Sequence, residues 1–177
     1  MSDKPLIRQT GKDHLSQILA IYPLAFAAED LRPLVSELLT GQAQVLSLAA
    51  FDDHSMTGHV LFTIFSGEGD NDRKAGALLA PLCVLPNYQK QGLGRALVEA
   101  GIEKLQQSGV RQLFVLGDPA YYSRLGFQAE RRALPPYPLP EQWQEAWQSM
   151  PVSGGRPLKA GQCILPQVWM KPELWLP

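Results

Sequence analysis

The residues with the most chemical promise stand together in Leu82-Cys83-Val84-Leu85-Pro86-Asn87-Tyr88-Gln89-Lys90-Gln91-Gly92-Leu93-Gly94-Arg95-Ala96-Leu97. An apolar, strand-like run leads through a proline turn into a loop whose glycines open a helix. A helix start leaves its first N–H groups without partners and carries a partial positive charge. Glycine there lets the backbone come close to an anion, so phosphate binding is the chemistry that fits. A Walker loop, which needs Gly-Lys-Ser/Thr after a first glycine, is absent. A dinucleotide fingerprint would place Gly or Ala where Leu97 stands, so Gly92-Leu93-Gly94 matches it only in part. On glycine spacing alone, a turn that merely shapes a helix start is the favoured reading.

The surroundings narrow the choice. Gln89-Lys90-Gln91-Gly92-Leu93-Gly94 follows Val84-Leu85-Pro86 and continues into Arg95-Ala96-Leu97, and downstream stands Tyr121-Tyr122-Ser123-Arg124-Leu125-Gly126-Phe127. The first stretch resembles the coenzyme A loop of the GNAT superfamily of N-acetyltransferases: Gln or Arg, two residues, Gly, any residue, then Gly or Ala. The second resembles that family's Tyr-x-x-x-Gly-Phe. The resemblance is strong over about 78–129, consistent in element order before it, and faint after Arg131.

The resemblance implies acetyl-CoA as cofactor, no metal, and an amine acceptor that is a small molecule or a protein. Backbone groups of Gln89, Lys90, Gln91, Gly92, Leu93 and Gly94, with Arg95 and Ala96 at the helix start, would cradle the pyrophosphate. Lys90 and Arg95 either add charge near the ADP phosphates or are solvated surface residues. The pantothenate arm would lie along Leu82, Cys83 and Val84 as an added strand at a free edge. Pro81 supports this independently, because proline inside a sheet is confined to edges and bulges. An N–H near Cys83 or Val84 would then polarise the thioester carbonyl. Tyr122, four residues before Gly126, is where the family places its general acid, with Tyr121 as substitute or both rings as core packing. A free phenol with pKa about 10 suits protonation of a departing thiolate.

A base is harder to find. The run Gly76–Leu85 carries no carboxylate, and His54, His59 and Glu29 read as loop or surface residues. Cys83 lies in an apolar stretch with no histidine near it in sequence, which favours an inert buried thiol over a nucleophile.

Elements must position these groups. Leu6–Gln9 reads as a first strand, and 13–22 as a helix capped by Asp13 and bent or ended by Pro23. A second amphipathic helix over 29–39 closes at Gly41. Strands over 44–51 and 59–65 form a hairpin across Asp52-Asp53-His54-Ser55, and a third over 76–85 pairs back onto the second. A helix over 92–107 buries Leu93, Leu97, Ala100 and Leu105, followed by a strand over 112–116, a short helix over 120–125 and a strand near Phe127. The proline-rich span 131–162 holds a short helix, Pro140–Trp147, that sets Trp143 and Trp147 on one face, and a last strand covers 163–170. Those tryptophans would pack in the core, wall the acceptor pocket, or meet a partner subunit as a homodimer. The pattern is α+β: a GNAT-like mixed, mostly antiparallel sheet of six to seven strands with helices on both faces, its parallel strands splayed at the cofactor site. All 177 residues read as one N-acetyltransferase domain, 1–130 forming the core and 131–177 the proline-rich segment and last strand.

Composition trims the alternatives. A formal net charge of -1 lacks the basic excess of a nucleic-acid binder. No window approaches about 18 apolar residues, so no membrane span is expected. Residues 1–4 show no secretory pattern, and two distant cysteines suggest reduced thiols and a cytoplasmic protein. Against the N-acetyltransferase reading stand a non-catalytic acyl-CoA sensor of the same fold and an unrelated nucleotide-binding domain.

Overall fold

A computed structural model describes residues 5–176, so the reading over residues 1–4 lies outside it. In chain order come β1 (Leu6–Thr10), α1 (Leu15–Ala25), α2 (Arg32–Thr40), β2 (Val45–Asp52), β3 (Ser55–Gly67), β4 (Gly76–Val84), α3 (Leu93–Gln107) and β5 (Gln112–Leu116). Then follow the short α4 (Pro119–Tyr122), β6 (Gln128–Ala129), β7 (Ala133–Leu134), β8 (Trp147–Pro151) and β9 (Gly161–Ile164). Two compact units result. The first runs up to Phe62 and takes in Ala80–Glu103; the second is Thr63–Leu79 with the chain from Lys104 onward. Strands β3 and β4 and helix α3 contribute to both.

In the first unit the strand order is β1-β2-β3-β4, with β1 antiparallel to β2 from Leu6↔Phe51 to Thr10↔Ser47. Its core takes Ile18, Tyr22, Val35, Leu38, Leu48, Val60, Leu61, Phe62, Leu97 and Val98. Helix α3 lies close, because Gly101 leaves the space that the Phe62 ring fills. Helix α1 departs from expectation at both ends. Asp13 sits in a 3-10 turn, Lys12–His14, and no side chain caps the helix. Pro23 is exposed inside the helix, which continues to Ala25. Proline near a helix end removes one N–H, and on the solvent side water can take the freed carbonyl.

In the second unit the order is β3-β4-β5-β8-β6, with β9 pairing β3 and β7. Strands β4 and β5 are parallel over Gly76↔Gln112, Ala77↔Leu113 and Leu78↔Phe114. Strand β8 runs antiparallel to β5 from Gln112↔Pro151 to Leu116↔Trp147. That strand corrects the proposed helix over Pro140–Trp147: the helical part is a 3-10 segment, Glu141–Ala146, and Trp147 opens β8. Trp147 is buried and stacks on Phe114 at 5.4 Å, while Trp143 stays half-buried, so the two do not share a helix face. The last strand is also shorter than expected, since β9 ends at Ile164 and Gln167–Trp169 is a 3-10 turn. Tryptophan N–H groups tie this tail inward: Trp147 Nε1 donates to Ala133 O, Trp169 Nε1 to Thr63 Oγ1, and Trp175 Nε1 to Trp169 O.

Candidate active site

The loop residues singled out from sequence all lie in the first unit. Along β4 the side chains alternate, with Cys83 buried and Leu82 and Val84 half-buried. Pro86–Tyr88 forms a 3-10 turn. Gln89 Nε2 then donates back to Val84 O at 3.0 Å, and Gln91 Nε2 to Asn87 O at 2.8 Å. These two glutamine side chains brace the loop against its own backbone. Lys90 (φ 60) and Gly92 (φ 83) both occupy the left-handed region. At Gly92 that conformation is natural only for glycine.

Helix α3 starts at Leu93, and its first closing bond runs from Ala96 N to Gly92 O at 2.9 Å. The N–H groups of Leu93, Gly94 and Arg95 precede that bond and have no carbonyl one turn back to meet. Unpartnered amides at a helix start are groups that an anion can meet. Arg95 Nε meets Glu99 Oε1 at 2.7 Å, and both side chains are more than half exposed. Lys90 is also exposed.

Cys83 is fully buried, and burial pushes its thiol up to about 12. A thiolate is the reactive form, so this cysteine is inert as a nucleophile. Cys163 behaves alike, pushed up to about 12 by burial and by Glu130.

Three residues weighed as bases find different places. Glu29 is exposed after α1. His54 lies on an open cleft of about 630 Å³ that it shares with Asp52, Asp53, Tyr88 and Gln91. His59 corrects the surface reading: it is 0% exposed on β3. Its Nδ1 meets Tyr22 Oη at 2.8 Å and its Nε2 meets Ser47 Oγ at 2.8 Å; Ser47 Oγ in turn meets Thr10 Oγ1 at 2.7 Å. Burial lowers this histidine to about 3, which keeps it neutral and unfit to hold a proton at working pH. Nothing in the sequence marked this chain, because its four members come from four elements.

Tyr122 stands in the second unit. Asp118 caps its short helix, Oδ1 accepting from Ala120 N at 2.9 Å, and Pro119 presets the first turn. The chain leaves through Gly126, whose φ of 98 supplies the left-handed stop. The Tyr122 ring meets Tyr121 edge-on at 4.9 Å and Phe127 at 5.5 Å. Burial first, then Tyr121, raises the Tyr122 phenol well above its ordinary value. Tyr121 is more exposed and is raised by burial alone. Among the described residues, no group of three His, Cys, Asp or Glu could hold a metal ion.

The model of the acetyltransferase (GNAT) domain matches residues 45–129, which include both the loop and the Tyr122 helix. YjhQ of Escherichia coli K12, an uncharacterised N-acetyltransferase, is 38% identical over 143 residues, or 78% of this chain and 79% of that one. The chain belongs to the GNAT superfamily of N-acetyltransferases. Its enzyme class follows: an acyl-CoA-dependent N-acyltransferase. A second relative, the uncharacterised N-acetyltransferase YhbS of the same organism, is 36% identical over 62% of this chain and 65% of its own. The structure of YhbS with CoA superimposes with a TM-score of 0.82 at 26% identity, covering 95% of this chain and 93% of that one. A GNAT acetyltransferase of Brucella melitensis, in complex with acetyl-CoA, gives a TM-score of 0.75 at 25% identity over 93% and 97%. The GNAT fold, a mixed and mostly antiparallel sheet with a parallel β4–β5 pair, is thus shared over almost the whole chain.

Proposed function

We propose that the whole chain works as one N-acetyltransferase domain that moves the acetyl group of acetyl-CoA directly to a primary amine. The observation that carries this reading is the α3 start: a left-handed Gly92 followed by three amides with no intrahelical partner. In this reading Gln89 to Ala96 hold the diphosphate, and Leu82 to Val84 lend backbone groups to the pantothenate arm. The GNAT neighbours crystallised with CoA and acetyl-CoA support that cofactor.

The reaction has no covalent enzyme intermediate. The amine nitrogen attacks the thioester carbonyl, and an N–H of Cys83 or Val84 stabilises the oxyanion; a donor of this kind contributes about 2.7–4 kcal/mol in other enzymes. The C–S bond then breaks, and Tyr122 gives its proton to the departing thiolate sulfur. Strand β4 carries no carboxylate, so the amine enters neutral; the proton its nitrogen sheds after attack passes to water, and solvent returns one to the Tyr122 oxygen once the thiol has left. The buried Cys83 thiol argues against a ping-pong route. The acceptor walls would come from 22–31 and from the span after Arg131, and the reaction would take place in the cytoplasm.

The test is release of free thiol from acetyl-CoA across a panel of amines, run on the native protein and on Tyr122→Phe. Turnover with at least one amine is expected, falling on the order of 10²–10⁴-fold in the variant with cofactor binding kept. Unchanged turnover in the variant would remove Tyr122 from the mechanism.

A further inference from the structure

We infer that Gly117 is a positioning residue for the acid: its missing side chain is the seat of the Tyr122 ring. This rests on the reading of Tyr122 given above. Gly117 follows β5 directly, and its φ does not lie in the left-handed region, so no left-handed strain there calls for glycine. Its surroundings do. A Cβ built there falls on Tyr122 Cε2 and lies 2.9 Å from Cδ2. A real Cβ does not come that close to another heavy atom.

Neither partner is free to move aside. Gly117 N donates to Ala146 O at 3.0 Å, and Gly117 O accepts from Gln148 Nε2 at 3.1 Å. Gln148 is itself buried on β8, so both backbone groups of Gly117 are pinned. On the other side, Tyr122 N donates to Asp118 O at 3.0 Å and Tyr122 O accepts from Phe127 N at 3.2 Å. With both backbones held, a methyl at 117 must turn the ring about its side-chain torsions, between the flanking rings of Tyr121 and Phe127. The hydroxyl oxygen lies on the ring's own Cβ–Cγ axis, so a spin about that axis, which the edge-on rings of Tyr121 and Phe127 oppose, leaves it in place, whereas a swing about Cα–Cβ carries it sideways at the full reach of the side chain. General acid catalysis demands hydrogen-bond reach, and such a displacement removes it.

The experiment is a double-mutant cycle in turnover, with KM for acetyl-CoA and the melting temperature measured alongside. G117A is expected to lower kcat about tenfold or more while KM for acetyl-CoA changes little. In the Y122F background the same substitution should have almost no further effect on kcat, because the proton it misplaces is already gone. Three outcomes overturn the inference: G117A with native kcat, G117A and Y122F effects that multiply, or a loss carried wholly by KM. Y122F with native kcat would instead sink the reading of Tyr122 itself, whatever G117A does. Should G117A fail to fold, the double variant G117A/Y122A removes the ring the new methyl meets and should recover a cooperative melt. Failure of that rescue would also overturn the inference.

Discussion

His59 shows what burial does to a titratable side chain and how that reaches a measurement. Unfolded, it takes up a proton near pH 6.5; folded, it does so only near 3. The unfolded chain therefore binds more protons between those values, and stability rises with pH across that window. The contribution is complete above about 6.5 and fades as pH falls toward 3, by at most ~1.4 kcal/mol per pH unit. Urea melts from pH 7 to pH 4 should show this slope in the native protein and a flatter one in H59Q, from a lower starting stability. Equal slopes would mean that His59 is charged in the fold. The thiols give a second reading. Cys83 and Cys163 are both buried and both pushed up to about 12, so a thiol reagent should label neither in the native state and both in urea. C83A should retain turnover, because it removes only a buried sulfur and leaves the backbone N–H in place, and its effect should be read in the melt as an ordinary loss of stability. Loss of activity in C83A with an intact melt would revive the covalent route.

The α3 start is where local backbone geometry and chemistry meet. Alanine at position 92 would have to adopt φ 83, a strain of about 1–2 kcal/mol. G92A is therefore expected to bind coenzyme A more weakly, by about tenfold or more, with little change in its melt if the loop relaxes to relieve the strain. Binding equal to native would show that the loop's curvature is not what holds the cofactor. This stretch was readable in advance because its signals are local: Pro86 fixes a turn, Gly92 a left-handed residue, and Leu93 and Leu97 a helix face. Strands β2 to β5 were equally plain from their apolar runs. Strand β8 was not. Trp147-Gln148-Ser149-Met150-Pro151 has no apolar alternation, and it is a strand because β5 on one side and β6 on the other offer it ladders. The tryptophan spacing across Pro140–Trp147 imitated a helical period for the same reason: long-range pairing overrode a local pattern. The Thr10–Ser47–His59–Tyr22 chain was invisible in sequence because it depends on packing between distant segments, and the seat at Gly117, though only five residues from Tyr122, depends on how the turn between them folds the ring back.

For the molecule as a whole, family and fold rest on matching sequence and on a fold shared over nearly the entire chain. Among the described residues no helix is long and apolar enough to cross a membrane. The amine acceptor is the part least specified by the shared fold, and the amine panel addresses it. The central claim concerns the cofactor: the amides that open α3 bind a diphosphate. Calorimetric titration of the native protein with acetyl-CoA, beside acetylpantetheine, which keeps the thioester arm but lacks the diphosphate, tests it most directly. Saturable one-to-one binding of acetyl-CoA, at least a hundredfold tighter than acetylpantetheine, is expected, since several charge-assisted amide bonds at about 1.5–3 kcal/mol each are at stake. Equal affinity for the two would contradict the account.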